Sequence, residues 1–316
     1  MILRFLSVAA LVIACLPAQA GFLGSVLSFD GTPDVLRDDS VSFFADDGAL
    51  LPDGSGGFIA GSEHISVGDR ISGLLKIDQV GPAGQTDLPT TDHRMIGLFS
   101  FAVTKETVLG NGDIRYELGA IPSASAGSID DILGTSFGDD AMIGVFTGID
   151  STNILTGSFA AAVAALTSPT YSLDAVLGID LANNPLDYLE ADFTGDADAN
   201  SDGKITFAEL AGLGPGATVA TESGGFSVLS HTLGASTHFI PVPSVHQTPP
   251  VPFVTTFHDV ALSGTLTNSE AFGVNPDYTI QDTAILVVNA VPEPSSGLAW
   301  ITLLGLGVYG RRRKHA

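Results

Sequence analysis

Residues 198–209 read DANSDGKITFAE, and acceptor side chains recur in that stretch at fixed offsets. Asp198, Asn200 and Asp202 stand two residues apart, and Glu209 closes the segment. The spacing predicts a loop that wraps one hard cation in oxygen. Asp198, Asn200 and Asp202 would aim side-chain oxygens at the ion, and Gly203 would permit the sharp turn that follows. Lys204 would offer its backbone carbonyl, so its charge can point away. Ile205 would pin the loop to the core, Thr206 would ligate directly or through water, and Glu209 would chelate with both oxygens. Oxygen donors in this number suit Ca²⁺, whereas Mg²⁺ prefers a smaller octahedron that keeps several waters. The competing reading is an ordinary Asp/Asn/Gly surface loop that binds nothing.

The pattern D-x-[DN]-x-[DN]-G-x5-E resembles the EF-hand family over about residues 185–212. The resemblance implies a helix on each side of the loop. Asn184-Pro185 reads as a helix start, with Leu186, Leu189 and Phe193 on one face. Gly195 would stop that helix early, and Phe207 and Leu210 would carry the exiting helix inward. EF-hands work in pairs, and no second loop is visible. The expected role is therefore a structural clip rather than a switch, with the ~10⁻⁴–10⁻³ M affinity that suffices outside a cell.

Other chemical signals are weaker. Gly134-Thr135-Ser136-Phe137-Gly138 matches G-x-S-x-G, but that elbow needs a strand before it and a helix after it. Here an apparent strand, Met142–Thr147, follows, so the match reads as chance among 37 glycines. His64, His93, His231, His238, His246 and His258 show no ligand spacing and read as surface or turn residues. His258-Asp259 would form a dyad only if the fold supplied a nucleophile. Paired aspartates at 38–39, 46–47, 130–131 and 139–140 read as solvated turns.

Composition narrows the partners. Lys plus Arg is 12 against 35 Asp plus Glu, a net charge of −23, which excludes a phosphate-binding surface and hence nucleic acid. With 45% hydrophobic and 15% charged residues the chain is nevertheless able to bury a core. A single cysteine, Cys15, excludes a disulfide framework within the chain.

The two ends read as addresses. Met1 to Ala20 has Arg4, an apolar run from Phe5 to Ile13, and Ala18-Gln19-Ala20 as a cleavage site, the layout of a signal peptide. Val12-Ile13-Ala14-Cys15 loosely resembles a lipobox, the rival address. At the other end, Val291-Pro292-Glu293-Pro294 precedes an uncharged stretch through Gly310, then Arg311-Arg312-Arg313-Lys314. As a helix, residues 294–310 would reach ~25 Å, at the lower limit for crossing a membrane, with the basic cluster on the cytoplasmic side. This order of parts resembles the PEP-CTERM sorting signal. The resemblance implies a Gram-negative envelope protein processed by signal peptidase and an exosortase, transiently inserted in the membrane through 294–310. It also implies a route shared with extracellular polysaccharide.

Between the ends, residues 21–150 and 216–290 read as β-rich, with short apolar runs cut by Gly, Asp and Pro. Asn111-Gly112 signals a hairpin turn. Residues 151–215 read as helical, from Phe159–Leu166 and from Leu173, Val176 and Leu177 at helical spacing. The expected fold is mainly β, a β-sandwich or jelly-roll-like domain built from both flanks around a helical insertion, with two separate β domains as the alternative. The expected function is that of an exported, non-enzymatic calcium-binding envelope or matrix protein. A polysaccharide-binding β-sandwich, with Tyr116, Tyr171, Tyr188 or Tyr278 as platform, is the second reading, and a secreted hydrolase the third.

Overall fold

The computed structural model of the chain describes Leu27 and residues 31–292, apart from 46–49, 53–54, 56–57, 82–85, 88–93, 149–154, 156, 233–236, 249–250 and 269–279. The signal-peptide segment 1–20 with Cys15, and the C-terminal address from Glu293 onward with the hydrophobic segment 294–310, therefore lie outside the described residues, while Val291 and Pro292 lie within them. Among the described residues no helix is long and apolar enough to cross a membrane.

The chain is mainly β. Its strands are β1 (Asp34–Ala45), β2 (Leu50–Pro52), β3 (Phe58–Glu63), β4 (Arg70–Gly81), β5 (Thr86–Asp87), β6 (Arg94–Val108), β7 (Ile114–Gly119), β8 (Ala141–Gly148) and β9 (Tyr171–Gly178). They continue as β10 (Tyr188–Phe193), β11 (Thr218–His231), β12 (Thr237–Phe239), β13 (Val242–Thr248), β14 (Val251–His258), β15 (Val260–Asn268), β16 (Ile280–Val288) and β17 (Ala290–Pro292). Among the described residues the α-helices are three short ones: α1 (Ile129–Leu133), α2 (Phe159–Leu166) and α3 (Phe207–Gly212).

Eleven strands share one antiparallel sheet, and its pairings close on themselves. Around the ring, β1 pairs β4, β4 pairs β6, β11 pairs β15, β15 pairs β16, and β16 returns to β1. Between β6 and β11 the ring has two routes. One runs through β7 and β10, the other through β8 and β9. Long strands make this possible: β6 pairs β8 through residues 94–99 and β7 through 102–108.

Alternation along these strands divides the core. Leu36, Ile71, Leu75, Phe99, Phe101, Leu189, Phe193 and Leu286 belong to one buried cluster that draws on strands all round the ring. Leu74, Ile96 and Leu98, on the opposite face of β4 and β6, form a second cluster with Ile129 of α1 and with Ala162 and Leu166 of α2. Both helices start on a serine cap, Ser128 accepting from the Asp131 N–H and Ser158 from the Ala161 N–H.

Residues 151–215 depart from expectation. α2 forms where the alanine-rich run predicts it, yet the apolar residues at 173–177 lie in β9 and those at 189–193 in β10. The reason is two-sided burial. Val176 sits in the outer cluster and Leu177 in the inner one, so β9 is apolar on both faces and mimics helical spacing. In β10 the true period is two: Leu189, Ala191 and Phe193 are buried, whereas Leu186, counted into the helical face, is 53% exposed. The middle of the chain is thus part of the ring rather than a helical insertion into it.

Candidate metal centre

β10 delivers the acidic loop. Its inward residues anchor it, and its outward Asp192 accepts two hydrogen bonds from Arg115 of β7, Nε to Oδ1 at 2.6 Å and a second guanidinium nitrogen to Oδ2 at 2.7 Å. Glu190 pairs with the same guanidinium at 3.1 Å. Arg115 is buried, and its hydrogen bonds to Asp192 hold its pKa above the ordinary value. Such a pair fixes β10 to β7 because a buried charge left alone is costly. Beyond Phe193 the chain makes a short 3₁₀ turn, Gly195–Ala197, instead of the end of an entering helix. The Gly195 N–H donates to Asp113 Oδ1 at 2.9 Å, in the turn between β6 and β7.

The loop then folds around its own acceptors. Asp198 is buried, and its two oxygens accept from the N–H of Asp202 at 3.1 Å and of Gly203 at 2.8 Å. Asn200 Oδ1 accepts from the Asp202 N–H at 2.8 Å, and Asp202 Oδ1 from the Lys204 N–H at 2.9 Å. Gly203 has φ +82°, so the glycine expected at the sharp turn is required there. Glu209 reaches back across the loop: Oε1 accepts from the Asn200 N–H at 3.3 Å, and Oε2 accepts from Thr206, from its N–H at 2.9 Å and its hydroxyl at 2.8 Å. The Glu209 N–H in turn donates to the Thr206 hydroxyl, closing a capping box on α3.

All six residues singled out from the sequence thus sit on one turn of chain. The Lys204 ammonium points away, bonded to both carboxylate oxygens of Glu106 on β6 at 2.7 and 2.8 Å. Among the described residues, no three His, Cys, Asp or Glu side chains converge as a ready-made metal cluster. The carboxylates of the loop are turned instead to backbone N–H groups. A carboxylate has about four acceptor positions and an amide oxygen two, so Asp198, Asn200 and Asp202 keep lone pairs beyond those engaged. The donor set is hard oxygen throughout, chemistry that suits Ca²⁺.

One partner of the loop was not foreseen. The Ile65 N–H donates to the Ile205 carbonyl at 2.9 Å, and His64 forms an antiparallel bridge with Thr206. Ile65 and Ile205 are both fully buried. The segment between β3 and β4 therefore lies against position eight of the loop, the place a second loop would take in a pair. Tyr116 backs it up: its hydroxyl donates to the Ile65 carbonyl at 3.4 Å and its ring meets Phe193 edge-on at 5.4 Å. Burial pushes the Tyr116 pKa upward, so the hydroxyl stays protonated.

The remaining signals resolve differently. His64 and His258 are buried, contrary to the surface placement expected. His258 pairs with Asp187, not with Asp259, its Nδ1 lying 2.8 Å from Oδ1, and Nε2 lies 2.7 Å from Thr256 Oγ1. Asp259 accepts from the Val228 N–H instead. Threonine, imidazole and carboxylate in series have the order of a nucleophilic relay. Thr256 is only 4% and His258 only 1% exposed, so the hydroxyl and the imidazole are buried. With Tyr188, whose hydroxyl lies 2.6 Å from Ser244 Oγ, this series ties the β13–β14 hairpin to the sheet. Gly225 leaves room for the His258 ring, which a Cβ there would meet at 2.1 Å. The G-x-S-x-G stretch has helix α1 before it and strand β8 after it, the reverse of a nucleophile elbow.

Compared with known proteins, the chain matches no family model, no curated protein and no solved structure.

Proposed function

We propose that this chain is an exported calcium-binding protein of the bacterial envelope or matrix that acts by binding rather than by turnover. In this reading the ion clips the 198–209 loop to a β-sandwich whose two edges are joined. The observation that carries it is a single loop, 198–209, in which Asp198, Asn200, Asp202 and Glu209 each accept from the loop's own backbone N–H groups while the Lys204 charge is drawn off to Glu106. Asp198, Asn200, Asp202 and Glu209 would hold the ion through side-chain oxygens, Lys204 through its carbonyl and Thr206 directly or through water. Bound Ca²⁺ supplies positive charge to a chain of net charge −23 and cross-links the loop. Export, processing at Pro292-Glu293-Pro294 and transient insertion through 294–310 belong to the same proposal and rest on the sequence of the two ends.

The test is thermal unfolding of the purified chain in calcium and in EGTA. Calcium should raise the melting temperature, and Asp198→Ala or Glu209→Ala should remove that dependence. A melting curve indifferent to chelation overturns the proposal.

A further inference from the structure

The ring of strands forks where β6 passes from β8 to β7 and β11 passes from β9 to β10. A cavity of about 650 Å³ opens at that fork, within the size range of small-ligand sites. Its floor is aliphatic, made by Leu118, Ile179 and Leu189. At its rim Leu181 is 58% exposed, an apolar side chain left in water beside a cavity. Tyr188 also lines it, half-buried, its ring held in place through the hydroxyl bond to Ser244. Tyr116 and Tyr171 are buried, and of the tyrosines with described side chains Tyr188 is the one that lines this cavity.

The polar lining is chiefly acceptor. Its two cations are already committed, Arg115 to Asp192 and Glu190, and Lys105 to Glu117. On the opposite bank stand Asp139 and Asp140, both exposed. Asp139 accepts from Ser123, while burial and then the charges of Asp180 and Asp139 raise the Asp140 pKa. Asp187, the fifth carboxylate of the lining, is tied to His258. An anion entering this cleft would meet uncompensated negative charge. A ring bearing hydroxyls would lay its C–H face on Leu181 and Tyr188 and donate to Asp140 and Asp139.

We propose that this cleft binds a polyhydroxylated, non-anionic chain, an oligosaccharide of neutral or amino sugars. The inference is independent of the calcium reading, although β10 carries both Tyr188 and the chain that leads into the acidic loop. It is tested by titration calorimetry of the purified full chain with panels of α- and β-linked hexose and hexosamine oligomers, with oligogalacturonate, and with 1,5-diaminopentane. The expected result is binding within the hexose or hexosamine panels and none to oligogalacturonate. Leu181→Asp should weaken that binding about tenfold or more by placing a charge against the sugar face, and Asp140→Asn by several-fold, both with unchanged melting. Silence from both sugar panels overturns the proposal, as does equal binding of oligogalacturonate. Diaminopentane binding as tightly as any sugar would show that the cleft reads charge alone and would overturn it too, as would an affinity that survives Leu181→Asp.

Discussion

Two aspartates in this fold use the same device to different ends. Asp130 and Asp198 are both 5% exposed, and each gathers backbone N–H groups from the loop that follows it. Asp130 accepts from Thr135 Oγ1 at 2.9 Å and from the N–H of Phe137 at 2.7 Å and of Gly138 at 3.0 Å. Its acidic neighbours are occupied elsewhere, Asp131 with the Gly127 N–H and Asp139 with Ser123. Around Asp198, by contrast, Asn200, Asp202 and Glu209 fold over the same turn and keep acceptor capacity. A lone carboxylate with three of its about four acceptor positions filled by its own loop is a staple. Several oxygens folded over one turn, with lone pairs left over, are the raw material of a cation site. The G-x-S-x-G match falls on the staple and the D-x-N-x-D-G match on the cluster, so the two motifs separate on hydrogen-bond arithmetic.

The largest expected effect tests the staple. Asp130→Ala leaves two N–H groups and a hydroxyl without their acceptor and should cost about 3 kcal/mol of stability. Chemical denaturation should give the same loss in calcium and in EGTA, and a loss confined to calcium would break the comparison. Acid sharpens it. Burial pushes the Asp130 carboxyl up, but the donors from Phe137, Gly138 and Thr135 outweigh burial and hold its pKa below the ordinary carboxylate value. A lowered folded pKa means that its stabilisation is complete above about pH 4 and disappears as pH falls through the lowered value. Asp130→Asn should therefore flatten the acid limb of the stability curve measured between pH 5 and pH 2.

Next in size is the cation effect at the cluster. At a hundredfold excess of calcium over Kd, binding to the folded state alone adds about 2.7 kcal/mol, several degrees of melting temperature in a chain of this length. Glu209→Gln is the sharper variant, because an amide oxygen can still accept from Thr206 and preserve the cap. It should keep the chelator-state stability and lose most of the calcium increment. A Gln variant that responds to calcium like the parent chain would show that Glu209 serves the helix and nothing else.

Smaller again is the effect of the segment that lies against the loop. Ile65→Ala should weaken calcium affinity about tenfold, or ~1.4 kcal/mol, because the N–H that donates to the Ile205 carbonyl stays but loses the buried side chain that holds it in place. Ile71→Ala, in the same buried cluster but on β4, should lower stability without moving the affinity. Equal affinities in the two variants, read by calorimetry, would reduce the Ile65 bridge to ordinary packing.

These regions were unequally legible in sequence. The acidic loop was readable because its acceptors fall within twelve consecutive residues, 198–209, and local spacing carries the geometry. The hairpin at Asn111-Gly112 and helix α2 were readable for the same reason. The mainly β character followed from short apolar runs between turn residues. Closure of the ring did not, because it depends on pairings such as Asp34 with Val288, far apart in the chain. Strands β9 and β10 carry helical spacing in the sequence because β9 is apolar on both faces and β10 follows the exposed Leu186. His258 and Asp187 meet across 71 residues, and Ile65 meets Ile205 by the same kind of long-range pairing. Local pattern marks which residues can do chemistry, and topology decides which of them meet.

The smallest expected effect concerns the charge beside the cluster. Lys204 is one residue past the sharp turn, so its ammonium is within reach of the carboxylates that would hold an ion. Glu106 holds it on the β6 side through both oxygens. The pair is partly buried and contributes about 1 kcal/mol, and because the amide oxygen of the variant can still accept from the ammonium, Glu106→Gln should change the melting curve in EGTA only slightly. The less tightly held ammonium can then swing to Asp202 or Glu209 and compete with calcium. Affinity should fall about two- to threefold at low ionic strength, and the difference should vanish near 0.5 M salt, where the screening length is only a few ångströms. Lys204→Ala removes the competitor and should restore affinity in the Glu106→Gln background. If the double variant binds no better than Glu106→Gln alone, Glu106 acts on the loop through β6 rather than by steering the lysine.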